Sequence, residues 1–146
     1  MESSSRKEMI KSLSEIVIPV LREKGFKGSF PHFRRMRNDR INLLTFQFDK
    51  WGGGFVIEIS NCQPNGFTTS WGKKIEPNKL TAHDIHPSNR KRIQSNRQTD
   101  YSDSGDWFRY DKNCLFGLET YKKVSQEVLS KLDIAEDYWK NEKLNG

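Results

Sequence analysis

The stretch FPHFRRMRNDRINLLTFQFDKWGGGFVIEIS, residues 30–60, decides the fold. Apolar and polar residues alternate through it with a period of two, the spacing that sends successive side chains to opposite faces of a strand. An extended segment at 30–37 is followed by Asn38-Asp39 and then by a second extended segment at 40–48. Asn and Asp tolerate positive φ, so the pair predicts a two-residue hairpin turn. In that register Phe33, Leu44, Phe46 and Phe48 share one face, and Arg35, Arg37, Arg40 and Asn42 lie toward the turn on the same face. Arg34, Met36, Ile41 and Leu43 take the other face. One face thus passes from apolar to basic along its length. A third strand at 55–60 sets Phe55, Ile57 and Ile59 against Val56, Glu58 and Ser60. The connection before it is rich in glycine, which permits conformations other residues resist, and it carries Trp51 at its tip.

On either side of this meander the period lengthens. Met9, Ile10, Leu13, Ile16, Val17, Val20 and Leu21 recur at three and four, predicting a helix over 6–23. Ser5 and Glu8 have the spacing of a capping box at its start. Pro19 has no N–H to bond back to Glu15 and should kink or divide the helix, and Gly25 supplies its stop. A second helix is predicted over 113–132 from Leu115, Leu118, Tyr121, Val124, Val128 and Leu132. Beyond it Ile134, Tyr138 and Trp139 are the residues of an acidic tail able to dock.

The middle is less regular. It reads as a fourth strand around 67–75, a loop through Pro77 and Pro87, a short fifth strand near 90–94, and a polar surface loop over 95–106. Trp107, Phe108 and Tyr110 then break the polarity and should pack on the sheet. These elements predict an α+β fold, an antiparallel sheet of four to six strands flanked by an N-terminal and a C-terminal helix. The 146 residues read as one domain, with its core at about 6–132 and a partly docked tail at 133–146.

Composition bounds the function. Apolar residues make up 34 % of the chain and charged residues 30 %, yet nine Phe, four Trp and four Tyr are enough large side chains for a core. No apolar run is long enough to span a membrane, and Lys11, Glu15 and Arg22 interrupt the one candidate for a secretory signal. A cytoplasmic protein without a membrane partner is the expectation. Cys62 and Cys114 belong to no C-x-x-C or other spaced cluster, so both read as reduced thiols. The net charge of +6 divides into +9 over residues 1–99 and −3 over 100–146. Such asymmetry suits nucleic acid or an acidic partner, although unequal solubilising charge produces it too.

Taken together, the initial helix, Gly25-Phe26-Lys27, the strand opening at Phe33, I-N-L-L-T-F-Q-F at 41–48 and G-G-F-V-I-E-I at 53–59 resemble a bacterial family. That family is catalogued as domain of unknown function 4304. Arg90-Lys91-Arg92-Ile93 and Trp107-Phe108 are similar to its basic strand and paired aromatics. The resemblance runs over about 6–132 and implies the fold; it implies no activity.

Catalytic and cofactor motifs are absent. There is no G-x-S-x-G and no Rossmann fingerprint, and Gly52-Gly53-Gly54 lacks the Lys and Ser/Thr of a phosphate-binding loop. His83, Asp84 and His86 are ligand types that zinc, iron or nickel favour, but they lack helical H-x-x-x-H spacing and Pro87 follows directly. His32 would have to be brought to them by the fold. The segment reads as a solvated turn, with no metal or other cofactor predicted. Cys114 lies near a predicted helix start, where the dipole can lower a thiol pKa, but it reads as a small apolar filler there.

The remaining constellation is basic and aromatic. Arg34, Arg35, Arg37 and Arg40 surround one hairpin, Arg90, Lys91, Arg92 and Arg97 follow later, and Trp51 and Trp71 lie in or beside loops. Arg and Trp are enriched at binding hot spots, so the leading expectation is a non-catalytic module for an acidic protein surface, for instance an accessory or toxin-neutralising domain. Arginines that pair with phosphates and aromatics that stack on bases give the alternative, nucleic-acid binding. Both features also have structural uses, since hairpin edges carry charge against aggregation and tryptophans fill cores.

Overall fold

The structure is a computed structural model, and it describes residues 4–95, 107–111, 118–142 and 144–145. Helix α1 (Ser4–Ile16) and helix α2 (Ile18–Glu23) are one apolar stripe divided at Val17. Pro19 falls in the first turn of α2, where its missing N–H leaves no bond unmade. Gly25 then takes φ 98, a left-handed conformation that ends the helix.

Five strands follow in the order β1 (Lys27–Ser29), β2 (His32–Met36), β3 (Ile41–Phe48), β4 (Gly54–Cys62) and β7 (Lys91–Ile93), each antiparallel to its neighbour. A sixth, β8 (Phe108–Arg109), pairs with the start of β4. The hairpin register is the expected one: Phe33 faces Leu44, Arg35 faces Asn42, and Arg37 N–H donates to Arg40 O at 2.8 Å around Asn38-Asp39. Residues 67–75 do not join this sheet. They form β5 (Phe67–Thr68) and β6 (Lys74–Ile75), a separate two-stranded hairpin, because the turn at 69–73 folds the segment back on itself. Three short 3-10 turns, Pro77–Lys79, Ala82–Asp84 and Pro87–Asn89, fill the loop expected through the two prolines.

Both faces of the sheet are covered, which is why every residue of β4 is buried. On one face Phe33, Leu44, Phe46, Phe55, Ile57 and Ile59 pack under Met9, Leu13, Val17 and Leu21 and under helix α3 (Leu118–Asn141). Ser12 Oγ lies 2.8 Å from Ser125 Oγ and ties α1 to α3. On the other face Ile41, Leu43 and Cys62 pack under Leu80, Ala82 and Ile85. Phe108 and Tyr110 are buried as expected.

Helix α3 runs through the part read as a tail. Ala135 and Trp139 prolong the buried series Val124, Val128 and Leu132 by three and four, whereas Ile134 points outward and is exposed. Trp139 is 2 % exposed, stands 4.9 Å from the Phe26 ring and donates Nε1–H to Leu43 O at 3.2 Å. Among the described residues, no helix is long and apolar enough to cross a membrane. The fold is α+β, an antiparallel sheet whose N-terminal and C-terminal helices pack together on one face rather than on opposite sides of it.

Candidate functional site

The β2–β3 hairpin reaches the end of α3, and its arginines divide into two groups there. Arg35 is 5 % exposed and fully engaged. Its Nε donates to Asn42 Oδ1 at 2.8 Å and its Nη2 to Glu136 Oε2 at 3.2 Å, while Nη1 pairs with Glu136 Oε1 at 2.9 Å without hydrogen-bond alignment. The guanidinium lies 4.6 Å from the Phe26 ring centre and 5.2 Å from that of Trp139. Arg40 donates to Trp139 O at 2.8 Å and Lys140 O at 3.2 Å, satisfying carbonyls that the end of α3 leaves unpaired. Arg37 alone of the three is exposed. All three line a cleft of about 330 Å³ between hairpin and helix, with Asp39, Glu136 and Lys140.

The other predicted arginines hold loops to the second face. Arg34 Nε donates to Leu80 O at 2.8 Å, and Arg90 Nε donates to Ile85 O at 2.8 Å. Arg90 and Arg92 both approach the buried Glu58 carboxylate, at 3.8 and 3.2 Å. Arg92 also stands 5.6 Å over the Trp107 ring. Glu58 escaped the sequence reading, although a lone carboxylate among β-branched and aromatic strand residues signals a buried partner for a cation. Lys91 and Arg92 are exposed and line a cleft of about 540 Å³ with Tyr138. Arg97 lies outside the described residues.

Trp51 and Trp71 differ from the core aromatics. They are 83 % and 77 % exposed. Asp49 builds the first turn: its Oδ1 accepts Trp51 N–H at 2.9 Å and its carbonyl accepts Gly52 N–H at 2.9 Å. Thr69 builds the second: its carbonyl accepts Gly72 N–H at 2.9 Å and its Oγ1 accepts Lys73 N–H at 3.0 Å. Gly52 and Gly72 take φ 90 and 91, which side-chain-bearing residues rarely adopt, and nothing would meet a Cβ at either. Lys50 Nζ lies 5.1 Å from the Trp51 ring centre, and Lys73 and Lys74 follow Trp71 exposed. The sequence reading singled out the indoles but missed these lysines, of which Lys50 stands over the Trp51 ring.

The fold does bring His32 to His83. Their ring centres are 5.7 Å apart at 78°, and His32 Nδ1 lies 2.9 Å from Thr45 Oγ1. Asp84 is occupied by its own turn, accepting Thr81 N–H at 2.8 Å, and His86 bonds to Ser88. Among the described residues no group of three or more His, Cys, Asp or Glu is placed to hold a metal ion. Burial pushes the Cys62 thiol up to about 11, leaving it protonated and unreactive at neutral pH. Cys114 lies outside the described residues.

These features define an antiparallel sheet covered by two helices, with two exposed indoles on hydrogen-bonded turns. Residues 17–139 match the family model described as Domain of unknown function (DUF4304), and the chain belongs to that family. No curated protein and no solved structure matches the chain.

Proposed function

We propose that the chain is a non-catalytic binding module whose partner presents an acidic surface. The exposure of Trp51 and Trp71 on hydrogen-bonded turns carries this reading. A large apolar group left in water is the informative exception to burial, and a turn whose backbone is already held loses less freedom when a partner covers it. Lys50, 5.1 Å from the Trp51 ring centre, and the exposed Lys73 and Lys74, which follow Trp71 in the chain, supply cations to pair with these anchors as at hot spots. Arg37 adds an exposed cation at the other end of β3 from Trp51. Neutralisation of an acidic toxin is one instance of such a role. The same reading has the protein act in the cytoplasm, where its thiols stay reduced.

The cleft holding Lys91, Arg92 and Tyr138 favours nucleic acid as a second reading. The two readings separate by experiment. Capture from a native lysate by the immobilised chain should persist after nuclease treatment and weaken in Arg37→Glu. Capture abolished by nuclease, with an affinity for oligonucleotides that falls steeply with salt, would replace the first reading by the second.

A further inference from the structure

We propose that the His32–His83 contact is a pH-sensitive latch that holds the segment 80–90 on the second face of the sheet and releases it in mild acid. His32 projects from β2 on that face, and His83 belongs to the 3-10 turn Ala82–Asp84, whose neighbours Leu80, Ala82 and Ile85 cover Ile41, Leu43 and Cys62. The two rings therefore meet across the joint between segment and sheet, 5.7 Å apart. Among the described residues, no covalent link or regular strand pairing holds 80–90 there; what holds them is this contact, the small apolar cluster, the Arg90–Glu58 pair and side-chain bonds to the Leu80 and Asn89 carbonyls.

The charges around the pair set what protonation does. Arg34 from β2 and Arg90 from the far end of the segment flank the rings, and Lys27 of β1 faces Arg34 in register. Glu58 of β4 and Asp84 oppose them. Both carboxylates are already engaged, Glu58 by Arg90 and by Arg92 of β7, and Asp84 by Thr81. Thr45 of β3 offers a hydroxyl, which adapts to either form of His32. Burial, then His83 and Arg34, hold His32 below its ordinary value, and burial and Arg90 do the same for His83. Both rings are thus neutral at pH 7. Acid adds two positive charges where two guanidiniums already sit and neither of these carboxylates is spare. His83 is exposed, so salt screens part of this repulsion.

Hydrogen exchange on the unaltered chain tests the latch. The Asp84 and Ile85 amides are bonded to Thr81 O at 3.0 Å and Ala82 O at 3.1 Å. Their protection should fall severalfold between about pH 7.5 and pH 5.5, because both rings bind protons more weakly with the segment docked than released. Protection in β3 and β4 should hold, and His83→Gln and His32→Gln should each flatten the response. About 1 M salt should shrink it. In a Cys114→Ser background, labelling of Cys62 by a disulfide reagent active in acid, corrected for thiolate fraction, should rise over the same range. Equal loss of protection in β3 and β4, or an undiminished response in both histidine variants, would overturn the proposal.

Discussion

The Arg35 guanidinium sits 5.2 Å from the centre of the Trp139 ring, joining the β2–β3 hairpin to the last turns of α3. The bond partners of Arg35 are all internal, so its charge builds the fold. Arg35→Ala should destabilise by about 3 kcal/mol, because it leaves Glu136 and Asn42 facing an empty site. Arg35→Lys should recover only part, since an ammonium cannot serve the fork and two ring faces together. Glu136 is 32 % exposed, and Glu136→Gln should cost about 1 kcal/mol. Denaturant titration checks all three.

Trp139 closes the same joint from the helix. Trp139→Ala should cost about 3–5 kcal/mol, and Trp139→Phe less, because the ring returns while Leu43 O loses its donor. Thermal unfolding followed by circular dichroism gives the order.

Trp51→Ala and Trp71→Ala should change stability by no more than about 0.5 kcal/mol, as neither indole is part of the core. A larger loss in either variant would mean that its indole is packed, against its exposure.

Stability should fall in mild acid. Both His32 and His83 bind protons less readily folded than unfolded, so the unfolded chain gains protons first as pH drops. The contribution is complete above the ordinary imidazole value of about 6.5 and is lost as pH falls below it. The double variant with Gln at both positions should have a flatter profile of melting temperature from about pH 7 to pH 5 than the parent.

Much of the fold was legible because periodicity reports burial directly. The register through Asn38-Asp39 is enough to place Phe33 against Leu44 and Arg35 against Asn42, as the hairpin has them. The division of the helix, which falls at Val17 two residues before Pro19, followed from the donor that Pro19 lacks. Residues 67–75 misled because a short hairpin has the same residue types as one strand, and only the bond from Lys73 N–H to Thr69 Oγ1 and its neighbours closes it. The end of α3 was hidden by polar neighbours around Ala135 and Trp139, whose burial depends on a hairpin far away in the chain. In the candidate site the arginines were visible but their employment was not. Sequence shows that Arg34, Arg35, Arg40 and Arg90 are cations, and only the fold shows that each bonds to a carbonyl or carboxylate.

That employment narrows the central test to residues outside the core. Native-lysate capture should compare the full chain with a double variant carrying Trp51→Ala and Trp71→Ala at unchanged melting temperature. The account predicts that a protein with an acidic surface, retained by the parent after nuclease treatment, is lost by the variant. Capture of the same proteins to the same extent by both chains would contradict it.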